Sequence, residues 1–367
     1  MKLFTPAFFT AFACIVPCAA LGDARYDEAA RIMRETRAAW GAPGISVAIV
    51  ENGRITWTGS DGLADVENRV AATPVTVWRI ASVAKPISAT AVMQLVEAGR
   101  IKLDEPIWTY IPWYPPKAEH VITVRHLLTN TSGIRHYKYE EGEKESTELF
   151  SSVEAGSHVH GVDREPLQFA PGTQYLYSSY AYLLLAGIVE QASGLTFEGY
   201  LRDRIFQPAG MDTAQLDRHR EIIRQRASFY RKGEGGRGLF NAPYVDVSYK
   251  WSAGGILATV TDIARFAIAL DDGKLLSEAS RKESTTPYTL TSGASTDYGF
   301  GWHVSQEGGR RWVYHSGGAT GGAAWLLRVP DERFAVVFMC NLERPGDGRK
   351  LAMEIAKAVL GPPSAAK

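Results

Sequence analysis

The chain has 367 residues, with 40 Lys+Arg against 40 Asp+Glu and a formal net charge of +0, and at about 150 residues per domain this fits two domains or one large one. Zero net charge excludes the basic footprint that nucleic acid or an anionic membrane demands, so no nucleic-acid partner is expected. With 45% hydrophobic and 22% charged residues, the composition is that of a folded globular protein and excludes disordered or collagen-like chains.

Residues 1–22 read as a secretory signal peptide. Lys2 precedes an apolar run through Phe8, Phe9, Phe12, Ile15 and Val16, and small Ala19 and Ala20 follow. Thr5, Pro6, Thr10 and Pro17 break the run below the roughly 20 apolar residues of an anchor. No later segment is long and apolar enough for a stable membrane span, so the mature protein is expected to be periplasmic or secreted. Cys14 and Cys18 leave with the signal, and Cys340 then has no disulfide partner.

Helical spacing runs from Asp27 to Trp40 and stops at Gly41-Ala42-Pro43-Gly44. Ile45 to Val50 reads as a strand, Asn52-Gly53 as a tight turn tolerant of positive φ, and Arg54 to Thr58 as the returning strand. Helices between Gly/Pro/Asn-rich turns come next, among them Ser88 to Ala98, ending at Gly99, and Tyr180 to Ala192, ending at Gly194. Glu140 to Glu154 and Lys232 to Gly238 read as mobile surface. Strand patterns return at Tyr298 to Val304, Arg311 to His315, Ala323 to Val329 and Phe334 to Cys340, and Lys350 to Leu360 closes with a helix. Connections this short require antiparallel pairing. The expected fold class is therefore α/β of the α+β kind. An antiparallel sheet flanked by helices spans 23–80 and 294–362, and an all-helical lobe over 81–293 interrupts it.

Three short segments carry chemistry. Ser82-Val83-Ala84-Lys85 places a serine and a lysine three apart at a helix start, on one face, where a desolvated amine can take the hydroxyl proton. The spacing alone is weak evidence, but Pro86, Ile87, Ala89, Val92 and Leu95 make this helix apolar, and a buried lysine must be neutral or partnered. Tyr177-Ser178-Ser179 stands at the next helix entry, where a phenol can act as base and acid if an ammonium lowers its pKa. His315-Ser316-Gly317-Gly318 ends a strand, and its glycines allow a substrate close to the backbone.

In this order the three segments resemble the serine β-lactamase, penicillin-binding protein and esterase superfamily: S-x-x-K at a helix start, Y-x-[SN] on the helical domain, and a K-T-G-like triplet on a sheet strand. The middle tyrosine is similar to the class C branch. Ser132-Gly133-Ile134-Arg135-His136-Tyr137 and Val245-Asp246-Val247-Ser248-Tyr249-Lys250-Trp251 look most like LACTB-type serine proteases. The resemblance implies a β-lactamase/transpeptidase-like fold and a serine hydrolase without cofactor or metal. Ser82 is then the acylated nucleophile, Lys85 its proton acceptor or pKa-setter, and Tyr177 the general base and acid shared between acylation and deacylation. The N–H groups of Ser82 and Gly318 form the implied oxyanion hole, and Ser179, His315, Ser316, Gly317 and Arg135 face the substrate. A small-molecule ester or peptide is the implied partner.

Two departures bear on specificity. Ser179 replaces the asparagine of many members, whose amide orients the lysine and contacts the substrate carbonyl; a hydroxyl does only part of this. His315-Ser316 replaces lysine-threonine, so a fixed charge gives way to a group largely neutral near pH 7. An esterase or peptidase is therefore favoured over a true β-lactamase or D-alanyl-D-alanine carboxypeptidase, unless Arg135 or Lys250 restores a charge at the cleft. Rival readings are a zinc hydrolase built on His158-Val159-His160 with Asp163, which lacks the usual aspartate-histidine partner, and a non-catalytic binding protein, which retention of all three catalytic-type residues disfavours.

Overall fold

The computed structural model describes residues 23–117, 120–138 and 150–362. The signal-peptide segment 1–22 and the greater part of the 140–154 stretch lie outside the described residues. Helix α1, Ala24–Trp40, is capped at Asp23, whose carboxylate accepts the Arg25 N–H, and ends on Gly41 at φ +62. Strands β1, Gly44–Glu51, and β2, Arg54–Asp65, form the expected hairpin. Its turn residues Asn52 and Gly53 both have positive φ, the geometry that lets a two-residue turn follow the twist of its strands.

Seven strands make one antiparallel sheet in the order β3-β2-β1-β12-β11-β10-β9. Its remaining members are β3 (Val70–Ala71), β9 (His303–Glu307), β10 (Arg310–Ala319), β11 (Gly322–Val329) and β12 (Phe334–Cys340). The two ends of the chain meet in its middle, with Ile45 opposite Cys340. Alternation along the strands divides two cores. Ile45, Val47, Ile49, Phe334 and Phe338 face α1 and the last helix, α6 (Gly348–Leu360). Ala48, Val50, Val337 and Met339 face the inserted lobe.

That lobe is built on α2 (Ala84–Glu97), α3 (Val124–Leu128), α4 (Ser179–Ser193) and α5 (Val260–Asp271). Helices α2 and α4 are apolar on nearly every side, and both are buried through most of their length. The sheet and the helical lobe are thus both present, but the lobe is not helical throughout. A small sheet, β4-β8-β5, joins Trp78–Arg79, Ile256–Ala258 and Gln215–Leu216, and a hairpin pairs β6 (Tyr230–Lys232) with β7 (Leu239–Asn241). Two- and three-residue strands leave too short an alternation to be read from sequence. The strand expected from Tyr298 starts only at His303, because Gly301, at φ +78, turns the chain against the backbone of Lys85 and Pro86.

Candidate active site

Ser82 lies in a single 3-10 turn, Ala81–Val83, that runs directly into α2. Ala81 enters this turn at φ +47, a left-handed backbone that costs an L-residue about 1–2 kcal/mol and is tolerated where surrounding structure enforces it. That enforcement comes from β10. A Cβ on Gly317 would collide with the Ile80 carbonyl and stand 3.2 Å from Ser82 N, so only glycine lets the strand close on the serine turn. At Gly318 the same position is open, and this residue is exposed to the cleft.

Lys85, the second residue of α2, is fully removed from solvent. Its Nζ stands 3.0 Å from Ser82 Oγ, 3.1 Å from Ser179 Oγ and 2.9 Å from the Ala253 carbonyl. No carboxylate pairs with it among the described residues. Burial, and then the positive charge of Lys250, hold the amine well below its usual range. The Ala253 carbonyl can only accept, so it takes one N–H of this amine.

Tyr177 is brought to this pair by Asn130, whose φ of +57 suits asparagine. The Asn130 carbonyl accepts Leu176 N–H and its Oδ1 accepts Ser178 N–H, both at 2.9 Å, gripping the loop on either side of the tyrosine. Ser178 then caps α4 by accepting Ala181 N–H at 3.1 Å. The Tyr177 ring lies 4.8 Å from Lys85 Nζ. Desolvation pushes its hydroxyl above the ordinary range, and the hydroxyls of Ser82 and Ser179 draw it partly back. Burial therefore opposes both the phenolate and the ammonium here, the reverse of the ammonium-lowered tyrosine expected from sequence.

Sequence comparison places this geometry in a lineage. The beta-lactamase family model matches residues 29–360. The chain belongs to the beta-lactamase family. As a member it is a serine hydrolase with the serine β-lactamase-like fold. Similar proteins include the serine beta-lactamase-like protein LACTB, mitochondrial, of Mus musculus, 30% identical over 93% of this chain and 82% of that protein. A D-aminopeptidase of Brucella canis is 28% identical over 88% of this chain and 60% of its own. Among solved structures, D-amino acid amidase from Ochrobactrum anthropi SV3, complexed with L-phenylalanine amide, superposes with TM-score 0.79 and 25% identity, covering 92% of this chain and 99% of that one.

Within this beta-lactamase-family framework a cleft of about 490 Å³ opens between β10 and the lobe, lined by Ser82, Ser179, Ser316, Gly317 and Gly318 as expected, and also by His136 and Lys250. Two expected substrate contacts are placed elsewhere. His315 is 1% exposed and lies behind the wall: its Nδ1–H donates to the Ser316 carbonyl at 2.6 Å, and Nε2 accepts from Tyr298 O–H at 3.2 Å. Burial, His303 and Lys85 hold it neutral. Its ring centroid is 6.0 Å from that of Tyr177, so it packs beside the tyrosine behind the cleft wall. Arg135 is 7% exposed and committed to Glu165 through two bonds of 2.6 and 2.8 Å, with a third at 3.0 Å to the His136 carbonyl. Lys138, Lys250 and Arg344 are the cations that line the cleft.

The rival metal motif is dispersed. His158 Nδ1 is 2.9 Å from Asp163, while His160 Nδ1 meets the Tyr180 hydroxyl at 2.5 Å, so the two imidazoles serve different protein partners. Sequence reasoning missed Ala81, Asn130 and His136 as site residues. Only Asn130 carried a local signal, the Thr129-Asn130-Thr131-Ser132-Gly133 turn.

Proposed function

We propose that the protein hydrolyses an ester or amide bond through an acyl-enzyme on Ser82. Neutral Lys85 takes the Ser82 proton as Oγ attacks the carbonyl carbon, and protonated Tyr177 gives its proton to the leaving group. Lys85 then returns its proton to Tyr177. In deacylation, water attacks the acyl carbon, its proton passes to the lysine–tyrosine pair, and Ser82 leaves as a hydroxyl. The N–H groups of Ser82 and Gly318 stabilise the oxyanion. The observation that carries this reading is the 3.0 Å approach of a buried, carboxylate-free Lys85 to Ser82.

Lys250 lines the cleft and supplies a cation there, so the reading spans small esters, amides and peptides, and the assay below separates these from β-lactams. The D-aminopeptidase and D-amino acid amidase relatives support the amide side of that range. Residues 1–22 we read as an export signal, which places the mature protein in the periplasm or outside the cell. No helix among the described residues is long and apolar enough to cross a membrane. Short-chain p-nitrophenyl esters and a chromogenic cephalosporin, assayed side by side with the Ser82→Ala protein, test the reading. Ester turnover that exceeds cephalosporin turnover and is lost in the variant supports it. Turnover retained by Ser82→Ala overturns it.

A further inference from the structure

Ser179 leaves one task of the asparagine unfilled. Its Oγ is spent on Lys85 at 3.1 Å, and it brings no amide N–H to the acyl side of the cleft. His136 stands next to the gap. It is half-buried, lines the same cleft as Ser82 and Ser179, and its ring edge packs on the Tyr177 ring with centroids 5.3 Å apart.

The tautomer follows from the hydrogen bonds. Ser179 N–H can only donate, and it donates to His136 Nδ1 at 3.1 Å. Burial, with Lys85 and Arg135 nearby, lowers the imidazole to about 4, so at neutral pH the one ring proton is on Nε2. That nitrogen bonds to no described residue, and it is not among the polar atoms sealed from solvent. The His136 carbonyl is held by Arg135, and Arg135 by Glu165, which fixes the ring against the cleft.

We propose that His136 is a specificity-determining residue whose Nε2–H binds an amide carbonyl on the acyl side of the substrate, selecting N-acylated amino-acid or peptide acyl groups over plain alkanoyl groups. This deepens the proposed function and rests on acyl transfer at Ser82.

Two acyl groups of equal length separate the effect: the p-nitrophenyl esters of N-acetylglycine and pentanoic acid, which differ by one amide. His136→Asn keeps an acceptor near the Nδ1 position and removes the distal donor. His136→Gln restores a donor near Nε2 and removes the acceptor. Because each ester's intrinsic reactivity cancels, the quantity read is the N-acetylglycyl-to-pentanoyl ratio of kcat/KM relative to wild type. One hydrogen bond predicts that His136→Asn lowers this ratio about tenfold, mainly through KM of the N-acetylglycyl ester, and that His136→Gln recovers most of it.

A purely structural role would depress both esters together in both variants. An unchanged ratio in His136→Asn overturns the proposal. Affinity of N-acetylglycinamide for the Ser82→Ala protein, with and without His136→Asn, reads the same contact without chemistry. Weaker binding in the double variant supports the donor role, and equal binding overturns it. Failure of the Ser82 mechanism would appear separately, as ester turnover surviving in Ser82→Ala.

Discussion

Two neighbouring regions remove a cation from water and treat it in opposite ways. Behind the cleft residue His136, Arg135 is buried against Glu165 in a two-bond ion pair, and the carboxyl is held down to about 2 by the guanidinium. At the cleft's floor Lys85 is buried more completely and receives no carboxylate, only hydroxyls and a carbonyl. The first solution keeps a charge and gives a rigid strut. The second leaves the cation without a counter-charge, and burial holds the amine well below its usual range. Burial by itself therefore does not distinguish these two cations; withheld compensation does.

Disabling the uncompensated side carries the largest expected effect. Lys85→Met should lower ester kcat/KM by about a thousandfold or more, yet leave Tm at neutral pH unchanged or higher. The sign follows from linkage. A lysine whose folded pKa lies below its unfolded value binds fewer protons when folded, so it costs stability below the ordinary lysine pKa, and that cost fades as pH rises toward it. A Tm drop of the size expected for a core cavity would mean that Lys85 is structural. Tyr177→Phe comes next, with about a hundred- to ten-thousandfold loss of kcat and little change in thermal unfolding.

On the compensated side the readouts exchange places. Arg135→Met should lower Tm by several degrees, since it unpairs Glu165 and releases the His136 carbonyl, while costing far less turnover than Lys85→Met. The Arg135–Glu165 contribution is full above the ordinary carboxylate pKa and is lost as pH falls toward 2. Thermal scans of wild type and Arg135→Met should therefore converge at low pH. The smallest effect belongs to Lys250→Gln. Removing that neighbouring charge raises the Lys85 pKa, so the acid limb of the kcat/KM profile should move to higher pH by less than about one unit. Movement to lower pH would contradict the assigned electrostatics.

The residues proposed to react were legible as a group because their relations are local or belong to one element. Ser82 and Lys85 are three apart on a helix start, Tyr177 and Ser179 share a helix entry, and Gly317 sits on a strand whose glycine has a steric reason to be there. The strands β1, β2, β11 and β12 were legible from alternation and from the Asn52-Gly53 turn. What sequence could not supply was long-range placement. Arg135 looked available because its partner Glu165 is thirty residues away. His315 looked substrate-facing because its fate depends on which side of β10 it takes and on Tyr298 arriving behind it. The strain at Ala81 has no signature at all, since alanine is an ordinary residue there until β10 presses on the turn.

The most direct test of the central claim is intact-protein and peptide mass spectrometry after rapid acid quench with a p-nitrophenyl ester. An acyl adduct should form in wild type on Ser82, accumulate far more slowly in Lys85→Met and be absent from Ser82→Ala. Turnover without an adduct, or an adduct mapped to any residue other than Ser82, would contradict the account.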